Sequence, residues 1–318
     1  MVKHIVATAW ALGSASILPA QPSPTPQSIA ETGQAQDVRF RTEAADRMTV
    51  SVRVSGSGPY SFLVDTGADH TAISRELATR LRLAPAASAE LHDVVGVSTV
   101  ETATVPDLQF SRIGVKIDWA PLLDSANMGA DGILGTDTLD RQRIEFDFVG
   151  KTMLIMPSAA REAVDEPGTI VIEARRRNGR LIVTDATANG RGVIVVIDTG
   201  AELCIGNAAL RRQLLARAAV DPSHAVDLLS VTGDHIRGEY MLVHKLEMSG
   251  VTIQDLVVVF ANAHTFAQLK LDDRPAMLLG MNAMRAFKKV SIDFAKHRFR
   301  VVVPEHSEAQ ARLASAAD

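Results

Sequence analysis

The triplet Asp-Thr-Gly occurs twice in this chain, and each copy ends an apolar run. The first run is Phe62–Ala68 and the second is Val195–Ala201. A short apolar run rich in β-branched residues predicts a buried strand, and the glycine that follows predicts a tight turn. Two equivalent turns each deliver one carboxylate, and a pair of buried carboxylates is what acid/base activation of a water molecule requires. The two aspartates, Asp65 and Asp198, are therefore the candidate catalytic residues.

The sequence around the triplets is repeated as well, so the chain is two copies of one unit. A β-hairpin is predicted before each triplet, with its turn at Ser55–Pro59 in the first copy and at Asn189-Gly190 in the second. After each triplet a helix is predicted, with Ser74 as its N-cap in the first copy and Asn207 in the second.

Later segments of the two copies also match. The loop Gly132–Leu139 corresponds to Leu278–Met284. Each is followed by a strand-like stretch, Ile144–Phe148 in the first copy and Val290–Phe294 in the second, and each stretch leads into one more predicted strand.

These motifs together resemble the retropepsin-type aspartic proteases, over residues 38–304. The helix directly after the triplet is similar to the bacterial branch of that family, and two units in one chain resemble the pepsin arrangement. The resemblance implies a mainly β fold with two homologous lobes related by a pseudo-twofold axis, each with a short helix after its triplet. It also implies that Asp65 and Asp198 face each other with a water between them, and that Thr66 and Thr199 hydrogen-bond across the axis. The supporting loop residues are then Thr66, Gly67, Ala68, Thr199, Gly200 and Ala201.

The chain departs from the viral enzymes in the later loop, where those carry an arginine that pairs with an acid just after the triplet. Here Thr136 and Met281 stand at that place, although Asp69 and Glu202 keep the acidic partner. How these two acids are paired is open at this point.

Each copy is also expected to supply a flap over the substrate. The segments Val94–Ser98 and Ser230–His235 each carry one glycine at a predicted hairpin tip, although an ordinary hairpin turn is the alternative. The expected flap residues are Val95, Gly96, Val97, Val231, Thr232 and Gly233. Ile133 and Leu278 are expected to line the substrate pocket.

Composition limits the other functions. The net charge of −4 gives no electrostatic reason to expect nucleic acid. The basic run Arg175–Arg180 is interpreted as a solvated hairpin tip. Nine histidines without metal-ligand spacing and a single cysteine predict no metal, no cofactor and no intramolecular disulfide. That cysteine, Cys204, is interpreted as a buried apolar residue, with redox control as the alternative.

The amino terminus predicts export. A short basic start, an apolar stretch from Ile5 to Ala15 and small residues after it are typical of a signal peptide over residues 1–20, with an uncleaved membrane anchor as the alternative. We expect a flexible leader at 21–37, an N-terminal lobe at 38–157, a linker at 158–169, a C-terminal lobe at 170–304 and a tail at 305–318. The location is then periplasmic or secreted.

The sequence thus predicts an aspartic endopeptidase that acts as a monomer on a polypeptide substrate. The alternative is a non-catalytic peptide-binding module of the cell envelope that retains the protease fold. A glycosidase also uses two carboxylates, but two equivalent turn-borne triplets do not resemble one.

Overall fold

The computed structural model describes residues 4–6, 49–111, 113–160, 165–216 and 224–304. The fold over these residues is mainly β, as predicted, with two β lobes and a sheet between them. The predicted leader and tail lie outside the described residues, as does the predicted signal peptide apart from residues 4–6.

The elements are numbered in chain order. The strands are β1 (His4–Val6), β2 (Val50–Val54), β3 (Ser57–Val64), β4 (Ala72–Ser74), β5 (Pro85–His92), β6 (Val97–Phe110), β7 (Ile113–Leu123), β8 (Gly132–Leu134), β9 (Gln142–Asp147), β10 (Thr152–Pro157), β11 (Thr169–Glu173), β12 (Arg175–Arg177), β13 (Arg180–Ala188), β14 (Arg191–Ile197), β15 (Cys204–Gly206), β16 (His224–Leu229), β17 (His235–Met248), β18 (Val251–Phe260), β19 (Ala276–Leu279), β20 (Lys289–Asp293) and β21 (Arg298–Val302). The helices are α1 (Arg75–Arg80), α2 (Ser125–Met128), α3 (Thr136–Leu139), α4 (Ala208–Leu215), α5 (His264–Gln268) and α6 (Met281–Met284).

Each lobe is built on one eight-stranded sheet. The strand order is β1-β5-β6-β2-β3-β8-β4-β7 in the first lobe and β12-β13-β14-β19-β15-β18-β17-β16 in the second. The strand before each triplet pairs in parallel with the strand of the later apolar-apolar-Gly loop, β3 with β8 and β14 with β19. The matched segments of the repeat therefore lie side by side at the end of each triplet strand.

The two lobes share a five-stranded sheet of order β10-β9-β20-β21-β11. Its central pair joins β9 of the first lobe to β20 of the second, with Ile144 opposite Ile292 and Phe146 opposite Val290. All four of these side chains are buried. The matched strands of the repeat thus pair with each other and hold the lobes together.

Local sequence signals explain the turns and helix starts. The first hairpin turn is Ser55-Gly56, shorter than the predicted Ser55–Pro59, because Ser57 already pairs with Val54. Ser55 and Gly56 have φ of 49° and 77°, and Asn189 and Gly190 have 48° and 72°. Positive φ at both central residues is what a two-residue hairpin turn of the primed type requires.

The two helices after the triplets begin where the caps predict. Ser74 accepts a hydrogen bond from the Leu77 amide at 3.1 Å, and Asn207 accepts one from the Leu210 amide at 2.8 Å. Both side chains satisfy amides that a helix leaves unpaired in its first turn.

The prediction that the basic run Arg175–Arg180 is a solvated hairpin tip was wrong for its last residue. Arg175, Arg176 and Arg177 are exposed on β12, as expected. Arg180, however, is only 1% exposed. The hairpin that carries Arg180 packs against the other lobe. This is evident at Gly179, where an added Cβ would lie 3.5 Å from both Asp69 and Thr136.

No helix in the described part of the chain is long and apolar enough to cross a membrane.

Candidate functional site

The two triplets lie in equivalent loops. Asp65 follows β3, and its amide donates to the Leu134 carbonyl at 3.0 Å; Asp198 follows β14, and its amide donates to the Leu279 carbonyl at 3.2 Å. Both aspartates are fully buried. Each carboxylate is thus placed where two parallel strands of its lobe end.

The turn after each aspartate presents two backbone amides to one carboxylate oxygen. Asp65 Oδ1 accepts from Gly67 N at 2.7 Å and from Ala68 N at 3.1 Å. Asp198 Oδ1 accepts from Gly200 N at 3.0 Å and from Ala201 N at 3.3 Å. These bonds fix the carboxylate planes, and they favour the ionised form because amide donors stabilise negative charge.

Thr66 and Thr199 connect the two loops. Each hydroxyl accepts from the other threonine's amide at 3.0 Å. Each also donates to the carbonyl of the residue before the opposite aspartate, Thr66 to Ile197 at 3.0 Å and Thr199 to Val64 at 2.8 Å. The four bonds obey a twofold relationship and hold the loops in contact.

The second loop lies directly against the first carboxylate. A Cβ placed on Gly200 would fall 2.3–2.4 Å from the carboxyl atoms of Asp65, which no side chain tolerates. Burial is the largest cause that raises the pKa of Asp198 well above its ordinary value, and the charge of Asp65 raises it further. Arg180 and the amides of Gly200 and Ala201 act in the opposite direction. A raised pKa beside a second carboxylate is the condition in which a pair shares one proton.

The acids after the triplets find different partners. Asp69 forms an ion pair with Arg180 of the other lobe, with 3.5 Å between Oδ1 and Nη1. Glu202 binds Arg285 of its own lobe. Thr136 and Met281, which stand where viral enzymes have the arginine, use their amides to bind the Ala68 and Ala201 carbonyls, each at 2.8 Å. The two acids are therefore paired by arginines from two different parts of the chain, Arg180 and Arg285, instead of by an arginine in the later loop.

The predicted flaps are hairpins whose tips are built alike. Asp93 Oδ1 accepts from the Val95 amide at 2.8 Å, and Ser230 Oγ accepts from the Thr232 amide at 3.1 Å. The second residue of each tip, Val94 or Val231, is fully buried. The two tips therefore correspond as Asp93–Gly96 and Ser230–Gly233.

Each tip lies against the opposite lobe. The Val94 carbonyl accepts from the His264 amide, at the start of α5 in the second lobe, at 2.8 Å. A Cβ on Gly233 would lie 2.9 Å from Asn127 Nδ2 on α2 of the first lobe. The tips also touch each other, since Thr232 Oγ1 donates to Asp93 Oδ2 at 2.7 Å. The structure thus holds the two tips in contact with each other and with the opposite lobes.

The predicted pocket residues share apolar clusters with these tips. Leu278 belongs to an apolar cluster of the second lobe that includes Val94, and Ile133 belongs to a cluster of the first lobe that includes Val231. Val95 is half-buried against the first of these clusters, whereas Val97 is 51% exposed at the start of β6.

Sequence reasoning named Val95 and Val97 for the first tip and did not single out Val94. The Asp93 turn decides which valine points inward, and an aspartate two residues before a valine-glycine pair was the signal for it.

Cys204 is buried near the second loop, where its sulfur accepts from the Gly280 amide at 3.3 Å. Burial raises the pKa of its thiol to about 12. Among the described residues, no group of three or more His, Cys, Asp or Glu is arranged to hold a metal ion.

Comparisons with known proteins match both copies of the unit. Residues 50–141 match the family described as "gag-polyprotein putative aspartyl protease", and residues 184–283 match the family described as "Aspartyl protease". No curated protein matches the chain. Among solved structures, a retropepsin-like aspartic protease from Rickettsia conorii is similar at 21% identity, with 42% of this chain and 89% of that chain covered and a TM-score of 0.29. Each lobe therefore carries one unit that matches an aspartyl-protease family model, in the two places where the sequence repeats.

Proposed function

We propose that the chain is an aspartic endopeptidase in which Asp65 and Asp198 activate a water molecule for attack on a peptide bond. The observation that carries this proposal is the pair of buried carboxylates on equivalent loops, each fixed by two amides and linked by the threonine hydrogen bonds. A peptide-binding module has no need of such a pair, because buried carboxylates destabilise a fold unless they are used or fully paired.

The chemistry follows from one shared proton. The ionised carboxylate takes a proton from water as the water oxygen attacks the scissile carbonyl carbon, and the protonated carboxyl donates to the carbonyl oxygen. The tetrahedral diol then collapses: the C–N bond breaks, the amide nitrogen receives the proton of the protonated carboxyl, and one diol hydroxyl gives its proton to the ionised carboxylate. A carboxyl product remains, and the dyad again holds one shared proton. No covalent bond to the enzyme forms.

The flaps define how a substrate enters. Val94 and Val231 belong to the apolar clusters that contain Leu278 and Ile133, and the two tips are hydrogen-bonded to each other. An extended polypeptide therefore needs the flaps to open, after which its own apolar side chains take the places of the valines. Closure over the substrate then excludes water from the dyad.

The active species in this proposal is a single chain, because both aspartates come from one polypeptide and β9 pairs with β20 within it. We also propose a periplasmic or secreted location, on the strength of the basic and apolar pattern at residues 1–20.

The test is the hydrolysis of casein and of a peptide library by the purified chain and by Asp65→Asn and Asp198→Asn. Each variant should lose at least ~10²–10⁴-fold in kcat while it keeps the circular dichroism spectrum of the wild type. Pepstatin-type inhibition of the wild type is a second readout. Substantial activity in either folded variant contradicts the assignment, and a wild-type chain that binds peptides without cleaving them favours the binding module.

A further inference from the structure

Arg180 comes first by volume among the fully buried side chains of the described residues. A guanidinium without access to water is costly unless charged or polar partners surround it. One partner is the Asn178 carbonyl of its own hairpin, which accepts from Nη1 at 3.5 Å. The other partners lie in the loop that follows the first triplet, on the opposite lobe from β13, where Arg180 stands.

Two contacts across the lobes define its position. Nη2 donates to the Gly67 carbonyl at 2.6 Å, and Nη1 lies 3.5 Å from Asp69 Oδ1. The Gly67 carbonyl belongs to the same peptide group as the Ala68 amide, and that amide donates to Asp65 Oδ1 at 3.1 Å. A charged donor on the carbonyl polarises the peptide and strengthens the bond that its amide makes, since hydrogen bonds in a chain reinforce one another.

We propose that Arg180 is a positioning residue for the dyad, which orients and polarises the Gly67–Ala68 peptide against Asp65 and supplies a buried positive charge that favours the ionised state of the pair. This inference rests on the proposed endopeptidase function. Among the described residues, the acid after the second triplet has a different kind of partner. Arg285 pairs with Glu202 from the same lobe, and a third of the Arg285 side chain is exposed. Arg47 stands at the place of Arg180 in the sequence of the first unit and lies outside the described residues.

The electrostatics of the second carboxylate agree with this role. The charge of Arg180 lowers the pKa of Asp198 against the larger effects of burial and of Asp65. Burial is the largest cause that raises the pKa of Asp69, and the charge of Asp137 raises it further, whereas Arg180 and His70 lower it. Removal of the charge should therefore raise both macroscopic pKa values of the dyad, so both limbs of the pH–rate profile should move to higher pH.

The experiment compares Arg180→Lys, which keeps the charge, with Arg180→Gln, which keeps a donor without charge. Arg176→Gln is the matched control, because Arg176 lies on the same hairpin and also pairs across the lobes, with Asp140, away from the triplet loops. For Arg180→Gln we expect kcat to fall about 10-fold or more with KM changed less than about threefold, since a positioning group acts in the transition state. Both limbs should shift upward. Arg180→Lys should keep its limbs near the wild-type positions with a smaller loss of kcat, and Arg176→Gln should match the wild type.

Asp69→Asn gives a reading that does not depend on the fold of the Arg180 variants. It removes the negative partner and leaves the guanidinium on Gly67, so the acid limb should move to lower pH, opposite to Arg180→Gln. A folded Arg180→Gln with wild-type kcat and unmoved limbs overturns the inference. It is also overturned if the limbs of Arg180→Lys, which keeps the charge, shift as far as those of Arg180→Gln. If Arg180→Gln does not fold, an unmoved acid limb in Asp69→Asn overturns it. If the wild type is active and Asp65→Asn is inactive, a failure of the Arg180 inference leaves the proposed endopeptidase function intact. If the wild type is inactive, both the proposed function and the Arg180 inference are contradicted.

Discussion

Thr66 and Thr199 exchange equal hydrogen bonds, in which each hydroxyl accepts from the other's amide at 3.0 Å. The two residues are 133 positions apart in the chain and belong to different lobes. The geometry of the dyad therefore depends on a contact that neither lobe makes alone.

Thr199→Val should loosen this contact. The change leaves the buried Thr66 amide without its acceptor, which costs about 1–3 kcal/mol in the free energy of unfolding, and kcat should fall because the loops are no longer held together. Urea denaturation and peptide hydrolysis measure the two effects. The control is Thr104→Val, whose hydroxyl donates to the Asp118 carbonyl at 2.9 Å at an exposed site. A stable, fully active Thr199→Val would contradict the prediction.

Asp198→Asn should stabilise the folded chain at pH 7. Because the pKa of Asp198 is raised on folding, the native state keeps a proton that the unfolded chain loses above about pH 4. The free energy of unfolding of the wild type therefore falls as pH rises above about 4. Asp198→Asn has no proton to lose at this position, so its free energy of unfolding should not show that decrease. The gain should vanish as the pH approaches 4. Thermal denaturation between pH 4 and 8 measures it, with Asp227→Asn on the exposed part of β16 as a control that should follow the wild type.

Cys204 should be inert in the folded chain. Its thiol is buried and its pKa is raised to about 12, so hardly any thiolate forms at pH 8. A thiol reagent should label the protein slowly in buffer and rapidly in concentrated urea. Fast labelling of the native protein would revive redox control of this residue.

Cleavage should favour apolar residues on both sides of the scissile bond. The side chains that a substrate would replace or touch are Val94, Val231, Ile133 and Leu278, and burial of such a side chain contributes about 1.5–3 kcal/mol. A peptide library read by mass spectrometry gives the preference directly. Charged residues dominating these two positions would refute it.

Ala201→Ser should extend activity toward acid. The wild type has alanine after both triplets, so no hydroxyl adds to the amide bonds on the carboxylates, and we expect a bell-shaped profile centred on about pH 4–6.5. A serine hydroxyl that donates to Asp198 would stabilise its ionised form and move the acid limb downward. Ala208→Ser, at the exposed start of α4, should leave the limb in place. A wild-type optimum near pH 2, or an unmoved limb in Ala201→Ser, would show that another group sets the dyad.

The features predicted from sequence are those that short-range chemistry determines. The hairpin turns at Ser55 and Asn189 and the caps at Ser74 and Asn207 each depend on a few neighbouring residues, and the internal repeat shows which segments are equivalent. The two-lobed β fold follows from the same repeat.

Long-range contacts could not be predicted from the sequence. Arg180 stands in a basic run that favours solvent, and its burial depends on Gly67, 113 residues away. The inward position of Val94 depends on the Asp93 turn, which had a local signal in the sequence, and on a pocket in the other lobe, which had none. Periodicity carries no information on such pairings, because each requires the two lobes to be assembled first.

In the proposed enzyme, the chemical difference between the two flap tips has a consequence for inhibitor design. One tip offers Val95 where the other offers Thr232, and one rests on α5 at His264 while the other rests on α2 at Asn127. The two half-sites are therefore related in shape but distinct in chemistry. A compound with twofold symmetry, matched to one half, would meet a mismatch in the other, so selective ligands for this chain should carry different groups at their two ends.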